Sequence, residues 1–191
     1  MPGEPRILAG FVQGTLETVV RHEQASGRAI TARIPAATLE RVRGALPVSW
    51  LPLQDDLDLT ESLFQVAGEE GAKRVFRDAM ASSMDKAFLG PLVRGAVALL
   101  GRRPDRLLRW APKVWFTLYR DAGELVYGDE PDGARLELLR APGFLATSRS
   151  YLVGSAAAVE GGMAALGCEV SCDLRALEPR PCLAVRWKRE L

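Results

Sequence analysis

At Gly123 the apolar residues of this 191-residue chain change their period, and that change limits the fold more than any other feature. Up to residue 122 they recur every three or four positions, the spacing of one helix face. Beyond it they fall at every second position, the spacing of one face of a strand. Such a chain predicts an α+β fold: a helical N-terminal half followed by β-β-α-β-β, with an antiparallel sheet packed against helices.

In the helical half, Phe11, Val12, Leu16, Val19 and Val20 mark a helix over roughly residues 8–24, with Gly27 as its stop. A short helix follows Pro35 on Leu39, Val42 and Leu46. Pro47-Val48-Ser49-Trp50-Leu51-Pro52-Leu53 holds two prolines and reads as a fixed turn. Leu57 to Val66 form a helix that ends near Gly68, and Val75 to Met84 form another. Gly90-Pro91 opens a strongly apolar helix, closed by Gly101, that belongs in a core. Pro112 must kink the segment 103–122 or split it into two short helices, because proline lacks the amide donor and clashes with the preceding turn.

After Gly123, residues 124–127 and 134–140 read as the two arms of a hairpin around a turn-rich stretch. Thr147 or Ser148 caps a helix running to about Leu166. Gly154, Ala158 and Gly162 lie four apart, which makes one smooth helix face for a sheet or for a second copy of the chain. Strands over 168–174 and 182–189 close the order, with Leu183, Val185 and Trp187 on one face. No repeat or linker divides the chain, and its length suits one domain over residues 1–191, mainly helical to residue 122.

Net charge is +1, which removes bulk attraction to nucleic acid or anionic membrane. No apolar run approaches the length of a membrane span, no signal-peptide layout opens the chain, and three cysteines make no disulfide framework. The expectation is a cytoplasmic protein.

No catalytic constellation emerges, so no enzyme is expected. His22 is the only histidine, so any triad or haem ligation through imidazole must use it, yet it sits among Arg21, Glu23 and Gln24 as a solvated residue would. Eight of the aromatics fall between Phe88 and Tyr151. They either fill a core or line an apolar pocket, whose candidate residues are Trp110, Trp115, Phe116, Tyr119 and Tyr151. The arginines interleaved with them read as the solvated side of an amphipathic helix.

Cys168-Glu169-Val170-Ser171-Cys172, a loop, and Pro181-Cys182-Leu183-Ala184-Val185-Arg186-Trp187 carry a resemblance. A helix of small residues, then Glu-x-x-Cys, a turn, and Cys before a strand ending in Trp resembles the close of the 4-vinyl-reductase-type ligand-binding domain. That domain is similar in fold to subunits of vesicle-tethering transport-protein particles and to the haem-NO-binding class. The helix on Phe11, residues 47–53 and Arg106 to Pro112 also resemble an expanded myxobacterial paralogous family. The resemblance implies a non-enzymatic sensory or regulatory domain that binds an apolar small molecule or lipid chain, works as a homodimer, and signals to a protein partner. An interaction or scaffold module without a ligand is the alternative. Zinc-containing sensors of this class hold the metal with a Glu and two Cys of the hairpin and a Cys at the preceding helix. Glu169, Cys172 and Cys182 match, but Ser148 to Ser150 offer no Cys, so no cofactor is expected.

Overall fold

The structure is a computed structural model, and it describes residues 3–22, 26–176 and 181–187. Strand β1 (Arg6–Leu8) leads into α1 (Ala9–His22), α2 (Ser26–Arg33) and α3 (Ala36–Gly44). Strand β2 (Trp50–Pro52) precedes the long α4 (Leu53–Ser83), then α5 (Gly90–Leu100), α6 (Pro104–Leu108), α7 (Ala111–Leu118) and β3 (Tyr119–Arg120). The remainder is β4 (Glu124–Glu130), β5 (Gly133–Leu139), α8 (Gly143–Thr147), α9 (Arg149–Ala165), β6 (Ser171–Ala176) and β7 (Cys182–Arg186). The helical half followed by β-β-α-β-β is therefore as the periodicity predicts.

The main sheet is antiparallel in the order β4-β5-β7-β6. Ala134, Leu136, Leu183 and Val185 put one of its faces into a core with Leu107, Ala156 and Met163. Helix α9 crosses between this sheet and α4, so the molecule is layered sheet, α9, α4. Residues 103–122 form two short helices, with Pro112 in the first turn of α7, where its missing N–H leaves no bond unmade. Ser148 caps α9, its hydroxyl accepting the Tyr151 amide at 3.3 Å.

Three expectations are corrected. Residues 47–53 are more than a turn: Trp50–Pro52 pairs antiparallel with β1, which also pairs with β3. Pro52 is tolerated because β2 is an edge strand. The two helices expected on either side of Gly68 are both present: α4 is interrupted there, with Gly68 at φ 68° and ψ 178°, outside the helical region. Helix α5 is not in the core: Gly90 and Ala96 are buried, while Leu99 is 75% exposed. The smooth face of α9 meets neither a sheet nor a second copy but α4. Gly154 sits against the Phe76 ring, Gly161 against the Arg77 backbone and Gly162 against Met80 and Met84.

Candidate functional site

An apolar cavity of about 170 Å³ lies where α4, α5, α7 and α9 meet the sheet. Helix α4 contributes Phe76 and Met80, α5 contributes Leu92, Val93 and Ala96, and α9 contributes Ala158, Gly162 and Met163; Leu125, Leu136 and Leu183 form the floor. A cavity of this size is large enough for a benzene-sized guest, as apolar cavities of about 150 Å³ are.

Of the expected aromatics, Trp110, Trp115, Tyr119 and Tyr151 line the cavity. Phe116 does not: it is 61% exposed, one residue round α7 from the buried Trp115. The Trp115 indole stacks on Tyr119 with centroids 3.9 Å apart and donates its N–H to the Gly123 carbonyl at 3.2 Å. The Tyr151 hydroxyl donates to the Tyr119 hydroxyl at 2.8 Å. Burial, foremost, pushes both phenols above the ordinary tyrosine range, so both stay neutral.

Two residues that the sequence reading did not single out for the site give the cavity its polar corner. Asp56 and Thr60, one turn apart on α4, are both buried in its wall, and Asp56 Oδ1 and Thr60 Oγ1 have no hydrogen-bond partner. The Asp56 carboxyl is pushed up to about 7 by burial; the Tyr151 hydroxyl works against the rise and the Asp55 charge adds to it. Asp55 itself is compensated. Its oxygens accept from Arg41 at 2.6 and 3.1 Å, and from Thr38 at 3.3 Å. The attraction of a helix N-terminus for acidic residues does not by itself account for the burial of Asp55 and Asp56.

The cysteine hairpin does not converge. Cys172 stands opposite Val185 and packs with the core on the helical side, where Glu160 accepts its backbone N–H at 2.8 Å. Cys182 alternates onto the other face, among Glu137, Arg135 and Arg175. Glu169 precedes β6 in an exposed position. Among the described residues no group of three or more His, Cys, Asp and Glu side chains is placed to hold a metal.

No protein-family model matches the chain, and no curated protein matches it. Solved structures do. The Fe(II) unliganded form of an H-NOX protein mutant from K. algicida superposes with a TM-score of 0.62 at 10% identity, over 95% of this chain and 97% of that one. A Cs H-NOX mutant carrying 4-cyano-L-phenylalanine gives 0.60 at 10% identity, covering 97% and 98%. A structure from work on haem distortion in the H-NOX family gives 0.58 at 11% identity, covering 95% and 96%. The haem-NO-binding class named in the sequence resemblance is thus this chain's fold. The vinyl-reductase-type and myxobacterial resemblances gain no match.

These neighbours correct the expectation of no cofactor, because the fold they share with this chain is one that holds haem. Haem iron is held by His, Cys, Met or Tyr. Here His22 lies at the end of α1, on the surface, with Nε2 2.5 Å from Asp78 Oδ2. Among the described residues no cysteine lines the cavity, and the candidate ligands there are the neutral phenols of Tyr119 and Tyr151 and the thioethers of Met80, Met84 and Met163. The cavity residues do not fit a haem held through imidazole, and 170 Å³ lies below the range of pockets that enclose large ligands.

Proposed function

We propose that this chain is a cytoplasmic, non-enzymatic sensory or regulatory domain that takes an apolar small molecule into the cavity between its helices and its sheet. The observation that carries the reading is the cavity itself: apolar walls from helices and strands along most of the chain, and one polar corner. Its volume favours a small molecule over a lipid chain. The shared fold with H-NOX proteins supports a ligand-binding role. The scaffold alternative loses its main feature, since the glycine face available to a second copy is filled by α4.

A signal needs a movable element, and α5 supplies one. It covers the cavity with Leu92, Val93 and Ala96 and packs chiefly against the short α6. A guest that fills the cavity changes how α5 seats, and α5 presents its opposite side to a partner.

Native mass spectrometry of the protein as purified, with a denatured control, tests the reading. The expected result is a small organic mass lost on denaturation. Titration with hemin, followed by visible absorption, is the parallel arm. A bare subunit mass, together with no thermal response to benzene, toluene or indole, overturns the proposal. A stoichiometric haem spectrum overturns the small-molecule assignment and gives the cavity to haem.

A further inference from the structure

From the unpartnered Asp56 and Thr60 in the cavity wall, we infer that the ligand is an apolar amine, bound with its ammonium between Asp56 Oδ1 and Thr60 Oγ1 and its hydrocarbon part in the apolar space. This rests on the ligand-binding reading above and names the chemical class of the guest.

Buried polar atoms are almost always paired, and those that are not ask for an explanation. Asp56 and Thr60 are 2% and 1% exposed. They are the buried side chains of the described residues left with an unpaired oxygen or nitrogen, and they face the same space. An ionised carboxylate only accepts hydrogen bonds, whereas a threonine hydroxyl both donates and accepts. A group that satisfies both at once must bring at least two donors. An ammonium brings three and no acceptor.

Charge points the same way. Among the described residues no lysine, arginine or histidine lines the cavity. The neighbouring Asp55 has Arg41; Asp56 has only the neutral Tyr151 beside it. A buried carboxylate without a counter-ion is strongly disfavoured, and a cation delivered by the ligand removes that penalty. An alcohol or a ketone does not. An alkyl or arylalkyl amine is protonated at neutral pH, as the lysine side chain is. Size sets the rest: the cavity suits a single ring or a chain of about six carbons, given that one of about 150 Å³ admits benzene.

Benzylamine, benzyl alcohol and toluene share one hydrocarbon part and differ in the head. Their binding at pH 7.5 is read by calorimetry, by the shift in Tm and by fluorescence of Trp115 in the cavity wall. Benzylamine is expected to bind at least tenfold more tightly than benzyl alcohol. Asp56→Asn is expected to abolish that preference while leaving toluene binding within twofold. Thr60→Val, which keeps the shape, is expected to weaken benzylamine several-fold and toluene not at all. Equal binding of all three compounds, or a preference for benzyl alcohol that survives Asp56→Asn, overturns the amine assignment and leaves the cavity reading intact. Failure of all three to bind overturns both. Should Asp56→Asn not fold, the Thr60→Val result decides: an unchanged ratio of benzylamine to toluene affinity counts against the inference.

Discussion

Asp55 and Asp56 are adjacent at the start of α4 and both buried, but only Asp55 has a cation. The consequence for stability is signed. The Asp56 carboxyl is raised from 3.8 to about 7, so between those values the native state keeps a proton that the unfolded chain has released. Its contribution is fully present below the unfolded value and is lost as pH rises through the folded one. A shift of this size corresponds to about 4 kcal/mol. Urea unfolding at pH 5 and pH 8 is expected to show the wild type losing several kcal/mol over that interval, and Asp56→Asn losing far less. Tyr151→Phe removes the hydroxyl that holds the Asp56 carboxyl down, so the loss still begins at the unfolded value but runs on to higher pH, with about 1–3 kcal/mol lost throughout for the hydroxyl's bond to Tyr119. A parallel fall in Asp56→Asn and wild type would assign the slope to other groups. The polar corner was legible in principle. Leu53, Asp56, Leu57, Thr60 and Leu63 fall at helical spacing on one buried stripe, which makes Asp56 and Thr60 the two polar positions in an apolar series. Residues 51–70 hold six acids and no base, and that run hides the pattern, because acids in a charged run read as solvated.

At the scale of elements, the contact of α4 with α9 is the one that shapes the site, and its glycines differ in what they tolerate. A Cβ on Gly161 would overlap the Arg77 carbonyl oxygen, which is backbone inside α4 and cannot turn aside. A Cβ on Gly162 would meet the ends of Met84 and Met80, which can. Gly161→Ala is therefore expected to cost about 2–3 kcal/mol, the range for overpacking in a close-packed interior. Gly162→Ala is expected to stay within about 1 kcal/mol, because alanine regains helix propensity where the thioethers yield. Equal effects in urea unfolding would show that the two helices do not meet as described. The long helices and the hairpins were legible because their periodicity is local. The pairing of β1 with β2 and β3 was not, since three-residue strands carry no pattern and their partners lie more than forty residues away. The smooth face of α9 was legible as a close contact, but its partner was not, because small residues specify distance and not identity. Phe116 was misplaced for a related reason: beside Trp115 it shares the composition of the cluster but not the face of α7.

For the whole molecule, the cavity and α5 form one system. An empty apolar cavity loses the contacts its lining would otherwise make, so filling it from within is expected to stabilise the fold and to exclude the guest. Ala158→Leu places three further carbons in that space from the buried face of α9. Its Tm is expected to hold or rise while toluene and benzylamine binding falls at least tenfold; unchanged binding would place the guest elsewhere. Access to the cavity widens most readily where the element over it opens most cheaply. Helix α5 is that element: its apolar residues are largely half-exposed, Leu99 is 75% exposed, and its packing is chiefly to α6 rather than to α4 or α9. Local opening follows such sparse burial, so amide hydrogen exchange in the free protein is expected to be fastest in α5 among the long helices and slowest along α4 and α9. A guest seated under Leu92, Val93 and Ala96 ties α5 to the helices beneath it, and saturating benzylamine is expected to slow exchange in α5 by a larger factor than in any strand of the main sheet. Uniform slowing across the molecule would mean that the ligand stabilises the fold only globally, with no element set apart to report its presence. Slowing concentrated in α5 would identify the helix whose exposed apolar side changes with occupancy, as the proposed sensory role requires.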